Sequence, residues 1–588
     1  MMLVLFILLP LFASIILMQF LEQRFSKYVA LIGAIVSLVI LPFVTQGSYS
    51  VNLLNIGTYV VSFATNVLPL NLMLLGIVLI IAPLVILYSF GYMSITSEQK
   101  RFYTEILAFE ISMLLFSVSY SFITLFIAWE FLSLTSYLLI GFWNTKEIAN
   151  KAARKAITTV FIGDLCILGV IAILLSTAGS VTFNQVFLFI KTNQSVAILI
   201  SVLLSIAIFT KSAQFPFSEW LPDAMEGPTP VSAFLHSSTM VKAGVFSILL
   251  LFPIFYASNL LGVMFIIAII TILLATLNAL KEKHIKKVIA YSTIQELGLM
   301  MLAFSGGAIA AGVYFFFAQS FYKVLLFFSS GVVMESTDKV NLDETSGLKV
   351  NKIIYITTLF GVLSLAGFIP FDGFFASIGM SSSFYNNIII YVLLNIFGIM
   401  TSLYSFRWLF LNSKKTTPYA KIKYESVSKS IMVSMIISSI LILVASASFF
   451  YLIKPVLGGT YSNFTLQTLN PIDVIIETVL AISGLVIAYV AIRRSISIKS
   501  SLLTKLLNNG IITNLIYMYF AKGIYAASEG FAYFEEVLNN LLDSFGKGVV
   551  DLGKIIKKIS VGNINSYALV LSIGMIFLFL LIFVLKGV

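Results

Sequence analysis

Cysteine and histidine, the side chains that most often hold metals and redox groups, are almost missing. The 588 residues include one cysteine, Cys166, and two histidines, His236 and His284. A single cysteine excludes a disulfide framework and a thiolate cluster within the chain. Two histidines are too few to ligate two haems through paired imidazoles, so no cofactor is expected and the chain is not expected to carry electrons. Charge is scarce too: Lys, Arg, Asp and Glu make up 10% of the residues, against about 25% in soluble domains. That excludes a soluble globular enzyme. The net charge of +11 would suit nucleic acid, but the basic residues follow loop position, so no nucleic-acid partner is expected.

What is abundant is apolar sequence, 59% of the chain. Runs of about 20 apolar residues, each long enough to span a bilayer, recur near 2–20, 27–45, 71–92, 105–120, 122–142, 157–178, 195–226 (broken), 230–252, 260–280, 286–305, 308–333, 352–380 (broken), 385–411, 429–452, 470–493 and 565–586. The expected fold is an all-α, polytopic membrane bundle of sixteen spans in a lipid bilayer. Loops counted on alternating sides put twenty basic residues on one face, Arg24, Lys100, Lys155 and Lys287 among them, and only Lys191 and Lys454 on the other. The positive-inside rule makes the first face cytoplasmic and leaves both termini outside. Arg24 and Lys27 follow the first span rather than precede it, which fits a retained span and not a cleaved signal peptide.

Residues 503–558 differ. Phe531, Phe534, Leu538, Leu541, Phe545 and Val549 recur at helical steps opposite Glu535, Glu536, Asp543 and Lys547. That pattern predicts an amphipathic helix on the cytoplasmic side, a strap along neighbouring subunits or along its own bundle. The resulting organisation is 1–104, N-terminal spans; 105–252 and 253–412, two half-channel repeats; 413–494, C-terminal spans; 495–562, the lateral helix; 563–588, an anchoring span.

Eight ionisable residues fall inside apolar spans: Glu130, Asp164, Lys211, His236, Lys242, Glu296, Lys323 and Asp372. Each isolated charge costs about 2.5–3.5 kcal/mol at mid-bilayer on insertion scales, and such residues mark ion or proton pathways. Burial favours the neutral form of a lysine and of a carboxylate alike, and a nearby opposite charge reverses that preference. A buried acid–lysine pair that separates and rejoins would therefore take up and release a proton without a cofactor. Lys211 stands where a hydrophobic helix breaks, before Ser212-Ala-Gln-Phe-Pro216. Ala366-Gly-Phe-Ile-Pro-Phe-Asp372 echoes this break about 155 residues later, as inverted repeats of transporters do. Beyond the first break, Glu219, Asp223 and Glu226 fit a polar loop or a funnel by which protons enter. His284, between Lys283 and Lys287, fits a solvated loop.

Trp129-Glu130, Ser136-Tyr-Leu-Leu-Ile-Gly-Phe142, Lys211-Ser-Ala-Gln-Phe-Pro216, Trp220-Leu-Pro-Asp-Ala-Met-Glu-Gly-Pro-Thr-Pro-Val-Ser-Ala-Phe-Leu-His236 and Met240-Val-Lys-Ala-Gly244 resemble the antiporter-like subunits of respiratory complex I across roughly residues 70–410. The span count, the lateral helix and the last span make the L type, or chain 5, the most similar. The resemblance implies the distal proton-pumping subunit of a membrane arm, in the cell membrane beside M-, N- and K-type subunits that the lateral helix contacts. It implies Glu130 paired with Lys211, Asp164 modulating that pair, and His236 relaying towards a second half-channel. The sequence departs from the L type at Phe316 and Ser320, where histidines are usual; at Ser377, where a lysine is usual; at Phe161, where an arginine is expected; and at Lys242, often threonine. Lys323 and Asp372 are the candidates left to substitute. An Mrp-type cation/proton antiporter or a membrane-bound hydrogenase shares these motifs; a static scaffold and a solute carrier are readings of other classes. The electron donor, bound elsewhere, could be NADH, a reduced deazaflavin or ferredoxin.

Overall fold

A computed structural model describes residues 2–494, except 57, 58, 95, 416 and 458–470, together with 522, 533, 540, 544, 547, 551 and 554. Apart from those seven isolated residues the expected lateral helix lies outside the described residues, as does the span 565–586. The chain divides into two compact units, Met1–Leu507 and Asn508–Val588, and every element below belongs to the first.

The N-terminal part is α1 (Met2–Phe20), α2 (Gln23–Ile40), a hairpin of β1 (Gly47–Ile56) and β2 (Tyr59–Val67), and α3 (Pro69–Tyr92). The antiparallel hairpin was not expected from hydropathy. It is pinned to the short loop at residues 118–121: Tyr120 N donates to Ala64 O at 2.9 Å, and Ser121 Oγ to Ser62 O at 2.9 Å. There follow α4 (Gln99–Ser117), α5 (Phe122–Ile140), α6 (Glu147–Ala178), the short α7 (Phe183–Phe189), α8 (Gln194–Lys211), α9 (Trp220–Asp223), α10 (Thr229–Ser237), α11 (Met240–Leu250), α12 (Phe252–Ala257), α13 (Leu261–Lys281), α14 (Ile285–Ser305) and α15 (Ile309–Thr337). The described chain then runs through α16 (Lys352–Leu365), α17 (Asp372–Ser383), α18 (Ile388–Asn412), α19 (Pro418–Glu425), α20 (Lys429–Leu457) and α21 (Pro471–Arg493). Among the described residues twelve helical segments are long and apolar enough to cross a membrane, with two shorter apolar helices besides; the count of sixteen is not established by these residues.

Both expected breaks are present, and their backbones match bond for bond. Ser212 N donates to Ile208 O and Ala366 N to Val362 O, each at 2.9 Å; Gln214 N donates to Phe209 O and Phe368 N to Leu363 O, again at 2.9 Å. Ala213 at φ 51° corresponds to Gly367 at φ 74°, and cis peptides precede both Pro216 and Pro370. The left-handed turn costs a non-glycine residue roughly 1–2 kcal/mol, and at Ala213 the surrounding bonds hold it in place. In this register Leu365 stands where Lys211 stands. The freed groups at the first break find partners inside the protein, as membrane depth requires: Trp220 Nε1 donates to Thr210 O at 2.9 Å and Gln214 Nε2 to Ser212 O at 2.7 Å.

A third break corrects the expectation of one unbroken span over 230–252. α10 ends at Ser237 and α11 starts at Met240, so His236 and Lys242 lie on separate segments. The cause is the run Ser237-Ser238-Thr239. Its hydroxyls return to carbonyls of the preceding turn, Thr239 Oγ1 to Phe234 O at 2.6 Å and Ser238 Oγ to the same oxygen at 3.4 Å, in competition with the helical ladder.

Candidate functional site

The deepest charges lie where broken helices meet the long central ones. Lys211 ends α8 with no solvent exposure. Its Nζ donates to Trp129 O at 3.0 Å and to Ser133 Oγ at 2.7 Å, and rests 4.7 Å from the Trp129 ring centroid. Ser133 Oγ donates in turn to Asp164 Oδ2 at 3.1 Å, while Trp129 Nε1 donates to Asp164 Oδ1 at 2.7 Å. The ammonium thus reaches Asp164 through one hydroxyl. Glu130, half-buried, makes no ion pair within 4 Å among the described residues; Asp164, on α6, is the acid joined to Lys211 in this arrangement. α6 comes this close because Gly163 abuts α8: a Cβ there would sit 2.8 Å from Ala207 Cα. Phe161 is exposed on the outside of the bundle, so the missing arginine leaves the Lys211 cluster untouched.

Ser133 was not singled out by sequence reasoning, although it sits one helical turn after Trp129 and so faces the same neighbours. Ser133→Ala is expected to keep the fold but cut the link between Lys211 and Asp164. The hydrogen bond contributes about 1.5–3 kcal/mol when one partner is charged, so the thermal unfolding midpoint of the detergent-solubilised protein should fall while its abundance in the membrane, read by immunoblot, is retained.

Across the α8 break, Ser212 Oγ donates to Val241 O at 2.6 Å, which brings α11 and its Lys242 alongside Lys211. Gly244 makes that approach possible, since a Cβ there would lie 2.8 Å from Ile208 O. Lys242 is fully buried. Its Nζ donates to Phe316 O and to Ser320 Oγ, both at 2.5 Å, and lies 4.5 Å from the Phe316 ring centroid. Phe316 and Ser320, two departures seen in the sequence, are therefore the cradle of a third, Lys242. His236, also fully buried, packs its ring 6.3 Å from Trp220 and 6.4 Å from Phe327. Neither ring nitrogen has a hydrogen-bond partner among the described residues, so His236 contacts neither lysine directly.

One helix turn further along α15, Lys323 Nζ pairs with Glu296 Oε2 at 2.8 Å and donates to Ser292 Oγ at 2.5 Å. Tyr322 OH donates to the other oxygen of Glu296 at 3.0 Å. Gln295 extends the network: it accepts from Tyr404 OH and donates to Thr401 Oγ1, each at 2.8 Å. Asp372 starts α17 and does not join this pair. Its Oδ1 is held by Ser364 Oγ and by Gly373 N, while Oδ2 has no partner among the described residues. Sequence reasoning also passed over Glu110, which has zero exposure and two unpartnered oxygens among the described residues; its span carries Glu105 and Lys100 and reads as less apolar than its neighbours.

At the basic face, Asp223 pairs with Lys155 at 2.7 Å and Lys287 at 3.5 Å, and Glu226 lies 3.9 Å from Lys287. Beside them Lys286 is buried and donates to Gly227 O at 2.8 Å. His284 is half-buried rather than solvated, and its Nδ1 accepts from Lys286 N at 3.2 Å as a helix cap. Burial, then Lys286 and Lys287, push the imidazole down to about 3, so it is neutral at physiological pH.

The chain has known relatives. A family model described as NADH:quinone oxidoreductase/Mrp antiporter, TM, matches residues 119–405, and one described as NADH-ubiquinone oxidoreductase (complex I), chain 5 N-terminus, matches residues 53–103. The chain is 35% identical over 477 residues to NADH-quinone oxidoreductase subunit L of Campylobacter jejuni, covering 78% of each. It is 34% identical over 436 residues to the protein of the same name from Rickettsia typhi, covering 71% of this chain and 64% of the relative. To the chloroplast NAD(P)H-quinone oxidoreductase subunit 5 of Chaetosphaeridium globosum it is 39% identical over 329 residues, 52% of this chain and 49% of the relative. The chain thus spans about half to two thirds of the length of the last two. Among solved structures, the Mrp complex from Dietzia sp. DQ12-45-1b shares the fold, with a TM-score of 0.73 at 22% identity, covering 98% of this chain and 62% of that one.

Proposed function

The chain belongs to the antiporter-like subunit L (chain 5) family of NADH-quinone oxidoreductases, and on that premise we propose that it translocates protons across the cell membrane as part of a complex I-like assembly. Electron transfer takes place in other subunits, and the chain's own part is to move protons through buried lysines and carboxylates. Glu130, Asp164 and Lys211 form the first half-channel. His236 and Lys242 carry the proton across the central break. Lys323 with Glu296, and Asp372, serve the second. Partner subunits of the M, N and K types flank it, with the lateral helix along their cytoplasmic side and both termini outside.

One observation carries this reading: the lysine at the break of α8 is fully buried, yet it is joined through a single hydroxyl to an acid on another helix. An inert salt bridge would favour direct contact, because two charges at membrane depth gain most from touching. A bridging hydroxyl instead leaves the lysine able to exchange acids, and a hydroxyl both accepts and donates. The Lys323–Glu296 pair, in direct contact at 2.8 Å, supplies the closed counterpart of the same device. Purification of the native complex tests the proposal: iron–sulfur and quinone-reactive subunits should co-purify with this chain. Recovery with only cation/proton antiporter subunits would place it in the Mrp type instead.

A further inference from the structure

α21 lies beyond residue 405, where the family model's match ends, and it is the least buried of the described spans. It nevertheless turns an acid inward. Glu477 is 6% exposed, and its two oxygens accept from Ser381 Oγ at 2.8 Å and Ser377 Oγ at 3.1 Å, one helical turn apart on α17. No cation lies within 4 Å of it among the described residues. Two hydroxyls are thin compensation for an ionised carboxylate taken out of water, whereas they suit one that gains and loses a proton.

A cavity of about 50 Å³ lies beside it, lined among others by Glu296, Tyr322, Ser377, Thr401 and Glu477. Its wall is mixed, with Leu299, Phe315 and Phe397 beside the polar groups, and at roughly 10–15 Å³ per water it has room for a few molecules bridging those groups. It touches both Glu296, midway along α14, and Glu477, in the second turn of α21. Tyr391 OH donates to Asp473 Oδ1 at 3.4 Å, so α18 and α21 start side by side, close to the end of α17 that Glu477 meets through Ser381.

We propose that Glu477 is a proton carrier of the second half-channel, exchanging with the Lys323–Glu296 pair through this cavity and releasing protons towards the face where α17 ends. The step balances without electrons: the Lys323 ammonium gives up a proton, the Glu477 carboxylate becomes the acid, and the acid then loses the proton to the aqueous face. The inference rests on the proton-translocating reading above and adds to it a residue on a helix outside the matched region.

The test uses inside-out membrane vesicles carrying the assembled complex, with proton uptake measured against electron transfer at equal subunit abundance. Glu477→Gln keeps the volume and an acceptor for a serine but carries no proton; its uptake should fall about tenfold or more, the low side of what a positioned proton-transfer group supplies. Glu477→Asp keeps the titrating group and should retain most of the uptake. Wild-type uptake by Glu477→Gln overturns the proposal, and so does a loss in Glu477→Asp as deep as that in Glu477→Gln, which would mark a packing role. Lys211→Ala serves as the reference. If it is silent while Glu477→Gln pumps, only this inference fails; if Lys211→Ala itself pumps normally, the parent reading fails.

Discussion

Replacing Lys211 by alanine or by arginine should abolish proton translocation through this subunit while leaving the complex assembled. Alanine removes the group that holds the proton. Arginine is the more telling change: it keeps the positive charge beside Asp164 and Trp129, but a guanidinium is never deprotonated in a protein. A structural role would survive arginine, and a proton-carrying role would not. The expected loss is about a hundredfold in this subunit's own share of the proton flux, within the range for removing a positioned acid or base. Flux in inside-out vesicles, normalised to subunit abundance, checks it. Ser133 and the Trp129 carbonyl lose their charged partner in the alanine variant only, so a modest fall in abundance there, absent from the arginine variant, is also expected.

The second large effect is expected at Lys323. It is fully buried and in direct contact with Glu296, which also accepts from Tyr322. Lys323→Met removes one partner of a buried ion pair and strands the other, a change that costs about 3–5 kcal/mol. Both pumping and abundance should therefore fall, unlike in the Lys211→Arg variant. Adding Glu296→Gln removes the stranded charge, so the double variant should regain abundance but not pumping. Thermal unfolding of the detergent-solubilised complex separates the two: the midpoint falls for Lys323→Met and recovers in the double variant.

Much of the molecule could be read without coordinates because membrane physics writes in long words. Apolar runs gave most of the described spans, and the prolines at 216 and 370 marked two of the breaks that the structure contains. The eight charges within apolar spans were legible for the same reason, since few things but function keep a lysine such as Lys211 in an apolar run. What stayed hidden was pairing. The family resemblance implied Glu130 beside Lys211 with Asp164 modulating them; only the structure shows that one hydroxyl links Lys211 to Asp164, on a helix that Gly163 admits to close range. The break at Ser238 was missed because hydroxyls, unlike proline, interrupt a helix only when they choose the backbone over another partner. Phe316, Ser320 and Lys242 looked like three separate departures; in space they are one site, a lysine with its carbonyl and hydroxyl. Glu477 was passed over because α21 lies outside the recognisable region, and its inward orientation is a property of packing that hydropathy does not carry.

The most direct measurement is the number of protons moved per electron pair by the purified complex in sealed proteoliposomes, wild type against Lys211→Arg at matched assembly and matched electron flux. The expected result is a lower ratio in the variant, short by the share this subunit contributes. An unchanged ratio would mean that protons do not pass through Lys211, and its buried link to Asp164 would then be structural.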